Sequence, residues 1–237
     1  MKIKLFTIPN LLTLSNLLCG AFALVAVLAH GDLTLAFWLM ILAAVFDFLD
    51  GFVARMLRQS GPLGVQLDSL ADDITFGLLP AAILFVVGER MPTLFALPQW
   101  TLWAVFVLAA FSALRLARFN IDDTQHTEFR GLPTPAAALF CASLGMLAER
   151  DLLTIPCEAV LALAAVLSLL LVSPVRMFSL KFHGFGWAGN ELRYAFLAAC
   201  AVLVASLRMW SLPAIIALYV GLSTLRWVLQ RAKIAEK

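Results

Sequence analysis

Four aspartates, Asp47, Asp50, Asp68 and Asp72, fall within 26 residues of a chain that is otherwise strongly apolar. Asp47 directly follows the run FWLMILAAVF. A carboxylate in such a setting costs at least ~2.5 kcal/mol to insert into a bilayer. The spacing suggests what offsets that cost. Asp47, Asp50, Gly51 and Ala54 stand at i, i+3, i+4 and i+7, on one face of an α-helix. Asp68 and Asp72 stand at i, i+4 and share a face of the next helix. The turn-forming run Ser60-Gly61-Pro62 lets the two acidic faces meet. Three or four carboxylates converging from two helices make an all-oxygen site, suited to Mg²⁺, Mn²⁺ or Ca²⁺ and not to Zn²⁺. Four are enough to bridge two ions. Gly51 and Ala54 leave room for a ligand against the helix, and Arg55 adds a fixed cation for phosphate.

Two other readings compete. The acids could pair with Arg55, Arg58 or Arg115 and only hold helices together. That arrangement needs one acid per base, not four acids around two small residues. The acids could instead line a divalent-cation or proton pathway, the usual suspicion for charge at membrane depth. A transporter of that kind leaves Arg55 and the Gly51/Ala54 face without a purpose.

The elements that carry these residues follow from composition. The chain has 237 residues, 62% hydrophobic and 14% charged, with a mean hydropathy of +0.95. Soluble domains carry roughly 25% charged residues, so the chain is read as all-α, a polytopic membrane helical bundle. The net charge of +2 is too small to suggest a nucleic-acid partner. Eight apolar stretches qualify as transmembrane helices: 9–29, 34–57, 65–88, 98–119, 133–149, 156–175, 191–207 and 212–230. The first is long enough to span and lacks a clear processing site, so it is read as a helix and not as a cleaved leader. The fifth is short and rich in alanine. Cys19, Cys141, Cys157 and Cys200 are scattered and read as small apolar side chains.

With eight spans, fourteen of the seventeen lysines and arginines fall on one side. The set runs from Lys2, Lys4, Arg55 and Arg58 through Arg115, Arg118, Arg130, Arg176, Lys181 and Arg193 to Arg226, Arg231, Lys233 and Lys237. Only Arg90, Arg150 and Arg208 face the other way. The positive-inside rule makes the first side cytoplasmic. Both termini and the acidic cluster are then expected at the cytoplasmic face of a bacterial-type inner membrane.

Asp47-x-x-Asp50-Gly51-x-x-Ala54-Arg55, followed after eight residues by Gly64-x-x-x-Asp68-x-x-x-Asp72, resembles the signature of the CDP-alcohol phosphotransferases. The resemblance implies a six-helix membrane core, here residues 1–176, with two additional transmembrane helices in 177–237. It implies transfer from a CDP-linked lipid to an alcohol hydroxyl, with Mg²⁺ or Mn²⁺, two ions in all, held by Asp47, Asp50, Asp68 and Asp72. Asp72 would also be the general base. Gly51 and Arg55 would contact the CDP moiety, with Ala54, Ser60, Gly61 and Gly64 beside it. Asn10 and Thr13, at i, i+3 near the start of the first span, would contact the cytidine or its phosphates, or else bond helix to helix. A homodimer is implied as well.

Three further stretches resemble the branch of the family whose alcohol is L-serine and whose lipid donor is CDP-diacylglycerol, the membrane-embedded phosphatidylserine synthases. They are the run from Ile8 to Gly20, the run from Asp68 to Ala81, and the run from Ala113 to Asn120 followed by Phe129-Arg130-Gly131-Leu132-Pro133-Thr134-Pro135-Ala136-Ala137. Asn190-Glu191-Leu192-Arg193-Tyr194 resembles longer members of that group. Arg115, Arg118 and Arg130 are then candidates to clamp the serine carboxylate or a phosphate, with Asn120 orienting the amino acid. Another polar alcohol, such as glycerol 3-phosphate or inositol phosphate, is the alternative within the family. Asp73 lies ~100° around the helix from Asp72 and is expected to be structural or to stand behind the metal ligands. His30, His126 and His183 are poor catalytic candidates.

Overall fold

The structure is a computed structural model and describes residues 5–122, 129–178, 186–187 and 189–235. Lys2, Lys4, Lys181 and Lys237, with His126 and His183, lie outside the described residues. Eight helices are described: α1 Ile8–His30, α2 Leu33–Met56, α3 Pro62–Arg90, α4 Gln99–Ile121, α5 Thr134–Glu149, α6 Cys157–Val172, α7 Glu191–Leu207 and α8 Ser211–Ala235. The expected all-α bundle is what forms. One two-stranded ribbon accompanies it, β1 Phe129–Arg130 against β2 Arg176–Met177, antiparallel.

Local chemistry sets the helix ends. Thr7 caps α1, accepting from the Asn10 amide at 3.4 Å, and Pro9 sits where a missing N–H is harmless. Gly31, at φ +66°, ends α1 in the left-handed conformation that glycine adopts without strain. Asp32 then caps α2 through the Leu35 amide at 2.7 Å. The Glu149 carboxylate at the end of α5 accepts from the Leu33 and Thr34 amides at 3.0 and 2.6 Å. An anion therefore sits at the N-terminus of α2, where the helix dipole favours it. Pro62, Pro135 and the Pro156 before α6 mark the other starts.

α3 is the central helix, with 67% of its most apolar stretch buried. Small residues let its neighbours approach closely. Ala81 and Ala82 of α3, Ala137, Ala138 and Ala142 of α5, and Ala23 and Ala36 of α1 and α2 are all core residues. Phe76, Met40, Leu79 and Ile83 are fully buried among them, while Phe22, Trp38, Phe48 and Leu70 lie exposed on the outside. Lipid facing the outer surface accounts for that apolar exterior, and the chain is a multi-pass membrane protein. α5 is short, as expected, and α6 is shorter than the expected 156–175. α5 and α6 have 16 residues each, or ~24 Å against a hydrocarbon core of ~30 Å. Prolines begin both, which fixes their starts.

α7 and α8 are peripheral: Phe196 is the one buried residue of α7. Phe178, Phe196 and Tyr219 hold them to the core as an aromatic cluster with ring centroids 4.9–6.0 Å apart. The Tyr219 hydroxyl donates to the Phe178 carbonyl at 3.1 Å.

Candidate active site

The site forms where three helices meet at one end of the bundle. α1 contributes Asn10, Thr13 and Asn16 at i, i+3 and i+6, all buried. The last turns of α2 bring Asp47, Asp50, Gly51, Ala54 and Arg55. The first turns of α3 bring Gly64, Asp68 and Asp72. The connection is only five residues, 57–61, with Arg58 in the left-handed region at φ +55°. It folds α2 back onto α3 so that their acidic faces oppose.

Carboxylate oxygens of Asp47, Asp50 and Asp68 all lie within 4.8 Å of one another. Asp72 stands outside this tight group but abuts Asp47. The Thr13 hydroxyl donates to Asp50 Oδ2 at 2.5 Å. Asn16 Nδ2 donates to Asp72 Oδ1 at 3.1 Å. Asp68 Oδ1 is buried with no hydrogen-bond partner among the described residues. A buried, unsatisfied carboxylate oxygen beside two further carboxylates is poorly stabilised by the protein alone. A hard divalent cation supplies what this donor set lacks, so the residues fit such an ion.

Beside the acids opens a cleft of about 170 Å³. Asn10, Thr13, Gly51, Ala54, Arg55, Ser60, Gly61 and Gly64 all line it, as do Asp50 and Asp68. Every residue suspected from sequence of contacting the CDP group therefore faces one space. Gly51 and Gly64 keep its walls low: a Cβ on either would lie 3.5 Å from Arg55 Nη1 or 3.6 Å from Asn10 Oδ1.

The four residues suspected of binding serine are not gathered in one pocket. Arg115 is buried in α4, donates from Nη1 to Thr134 Oγ1 at 3.2 Å, and lies near enough to Asp72 to interact electrostatically. Its Nε has no hydrogen-bond partner among the described residues. Asn120 donates from Nδ2 to Ser69 Oγ at 2.8 Å, tying α4 to the acidic helix. Arg118 is exposed in the last turn of α4. Arg130 lines a different cavity, with Arg176 and Arg231.

Asp73 faces away from the cluster. Its Oδ1 and the Ser112 hydroxyl both converge on Gly77, where a Cβ would lie 2.6 and 2.7 Å from them. Asp73 begins a π-helical turn, Asp73–Leu78, within α3. Such turns recur at functional sites. This one admits an extra residue directly after Asp72, and the fully buried Thr75 within it donates to the Asn16 carbonyl at 3.3 Å.

Asn16 is the member of the site that the sequence did not single out. Its spacing from Asn10 and Thr13 is the signal that could have found it.

The sequence profile of the CDP-alcohol phosphatidyltransferases matches residues 6–179. The chain is also similar to curated proteins named CDP-diacylglycerol–serine O-phosphatidyltransferase. The one from Helicobacter pylori strain 26695 is 37% identical over 138 residues, 57% of this chain and 55% of that protein. The Bacillus subtilis protein is 30% identical over 176 residues, 74% of this chain and 92% of its own length. The Methanocaldococcus jannaschii protein is 32% identical over 173 residues, 73% and 74% of the two lengths. The chain thus spans about half the length of the Helicobacter protein and most of the other two.

Proposed function

The chain belongs to the CDP-alcohol phosphatidyltransferase family, and we propose on that premise that it transfers the phosphatidyl group of CDP-diacylglycerol to the hydroxyl of L-serine, giving phosphatidylserine and CMP. The observation that carries the reading is the group of three carboxylates beside the cleft, Asp47, Asp50 and Asp68 within 4.8 Å. The relatives' names support serine as the alcohol.

The residues divide the work as follows. Asp47, Asp50 and Asp68, with Asp72 alongside, would hold Mg²⁺ or Mn²⁺. When bound, such ions neutralise the pyrophosphate and stabilise attacking and leaving oxygens. Thr13 fixes the rotamer of Asp50. Asn10, Gly51, Ala54, Arg55, Ser60, Gly61 and Gly64 receive the CDP group, with Arg55 offering a planar fork to a phosphate. The serine hydroxyl oxygen forms a bond to the lipid-side phosphorus as the bond from that phosphorus to the CMP oxygen breaks. Asp72 accepts the hydroxyl proton, held in place by Asn16. Arg115, from its buried position near Asp72, is the best candidate to meet the serine carboxylate, with Arg118 and Asn120 at the rim. Positioning and charge neutralisation are the main protein contributions to phosphoryl transfer.

The excess of basic residues at this end supports a cytoplasmic active site and cytoplasmic termini. Water-soluble serine would enter there, while the lipid donor arrives from the membrane. Residues 1–176 form the catalytic core and 177–237 add two peripheral helices. The assembly is a homodimer in this reading.

The test uses purified protein in nanodiscs with CDP-diacylglycerol, Mn²⁺ or Mg²⁺, and serine, glycerol 3-phosphate or inositol phosphate in turn. Serine alone should release CMP, and a chelator should stop the release. Release with another alcohol and none with serine would overturn the substrate assignment and leave the family reaction standing.

A further inference from the structure

The face of α1 that enters the site continues past it. Asn10, Thr13 and Asn16 are followed on the same side by Gly20, and all four are buried. A glycine inside a helix weakens it, so Gly20 needs a reason. A Cβ there would lie 3.0 Å from the Cβ and 3.1 Å from the Cα of Thr75, inside the ~3.5–4.0 Å at which carbon atoms pack. α1 and α3 thus reach backbone contact one turn along α3 from Asp72. Thr75 uses the close approach. Other helical hydroxyls in this chain bond back to their own helix, as Ser15 does to the Leu11 carbonyl at 2.9 Å and Ser168 to the Ala164 carbonyl at 2.7 Å. Thr75, completely buried, donates across the interface instead, to the Asn16 carbonyl at 3.3 Å. It lies in the π-helical turn Asp73–Leu78, where the wider ring of the hydrogen bonds moves backbone carbonyls out of α-helical register. α3 therefore holds Asn16 at two points. The Asn16 carbonyl takes the Thr75 hydroxyl, and its Nδ2 donates to Asp72 Oδ1 at 3.1 Å.

We infer that Thr75, seated against Gly20, is a positioning residue for the reaction: it fixes Asn16 and, through Asn16, the carboxylate of Asp72. The inference rests on the reading of Asp72 as the acceptor of the alcohol's proton. A hydrogen bond to a carboxylate directs it only as well as the donor itself is held. The Thr75 bond acts on the backbone of the very residue that meets Asp72, so it stops α1 from sliding or rolling against α3 at that level. Gly20 lets the two backbones come close enough for the bond to form. The leverage is large, because a misplacement of ~1 Å near reacting groups can cost ~100-fold in rate. Thr75 does not line the cleft that receives the CDP group, so its effect belongs to turnover and not to binding of the lipid donor.

The full chain in nanodiscs tests this by CMP release, read with whichever alcohol supports turnover, so the result stands apart from the choice of serine. Thr75→Val keeps the shape and deletes the hydroxyl. Its kcat should fall roughly three- to tenfold, the rate equivalent of a neutral hydrogen bond, with the KM for CDP-diacylglycerol and the melting temperature near wild type. Thr75→Ser keeps the hydroxyl and gives up a buried methyl. It should lose melting temperature and hold kcat within twofold. Stability and turnover then part in opposite directions, which a loss of packing alone does not produce. Thr75→Val added to Asn16→Leu should slow the enzyme by less than a further twofold, because the path through Asn16 is already cut. A Thr75→Val kcat within twofold of wild type, or losses that multiply in full in the double variant, would overturn the inference. The first result beside a slow Asn16→Leu refutes Thr75 alone, and an unimpaired Asn16→Leu refutes the positioning of Asp72 and this inference with it.

Discussion

Replacing Asn16 by leucine separates catalysis from folding more cleanly than any change at an aspartate. Asn16 is completely buried, and its Nδ2 donates to Asp72 Oδ1 at 3.1 Å. Its other polar side-chain atom, Oδ1, has no hydrogen-bond partner among the described residues. Leucine has a similar volume and deletes an unsatisfied buried oxygen together with the donor, so the stability of the bundle should change little. The Asp72 carboxylate, itself 9% exposed, loses a hydrogen bond of the charged kind. Such bonds contribute about 1.5–3 kcal/mol, which corresponds to roughly 10- to 100-fold in rate. The loss should fall on kcat, because Asn10, Arg55 and Gly64, the cleft residues proposed to receive the CDP group, are untouched. The assay is CMP release at saturating serine, with melting temperature in detergent as the folding control. A folded variant with kcat within twofold of wild type would show that Asn16 does not position the base.

The other expectations are shorter. Asp72→Asn should abolish turnover while equilibrium binding of CDP-diacylglycerol persists; substantial CMP release by that variant would remove Asp72 from proton transfer. Thr13→Val deletes the donor to Asp50 Oδ2 and should raise the Mn²⁺ concentration for half-maximal activity roughly tenfold, and an unchanged metal dependence would contradict the role given to Thr13. Gly77→Ala puts a Cβ 2.6 Å from Asp73 Oδ1 and 2.7 Å from Ser112 Oγ, which should destabilise by about 1–3 kcal/mol. Gly221→Ala meets nothing within 4 Å and should leave the melting temperature unchanged or slightly raised. Equal melting temperatures for the two alanine variants would mean that the Asp73–Gly77–Ser112 contact is looser than described.

The acidic cluster was legible because helical periodicity and chain polarity act together. Asp47 and Asp50 on one helix, with Asp68 and Asp72 on the next, can face each other only if the connection is short, and Ser60-Gly61-Pro62 ensures that it is. The breaks between helices were readable where glycine, proline or aspartate mark them, as at Gly31-Asp32 and Ser60-Gly61-Pro62, although α3 begins at Pro62 and not at the expected 65. Asn16 was not readable. Its partner Asp72 is 56 residues away, and a single asparagine in an apolar helix looks the same whether it bonds a neighbouring backbone or a carboxylate of the acidic cluster.

Arginines at helix ends carry no periodicity, which is why the serine candidates dispersed. Arg115 turned inward to Thr134, Arg118 stayed at the surface, and Arg130 joined Arg176 through a ribbon that only tertiary folding creates. The π-helical turn after Asp72 was also hidden. One extra residue in α3 leaves the hydropathy of the span intact, yet it shifts everything beyond it by ~100°. Asp73 and Gly77 thus meet Ser112 of α4 while Asp72 stays with the acidic cluster.

Direct attack of serine on the lipid-side phosphorus is the central claim, and isotope tracing tests it. Purified protein is supplied with CDP-diacylglycerol, Mn²⁺ and L-serine labelled with ¹⁸O in its hydroxyl, and the products are weighed by mass spectrometry. The account predicts one phosphatidylserine per CMP, with the label retained in phosphatidylserine and absent from CMP. CMP released without serine, or phosphatidylserine that has lost the label, would contradict it.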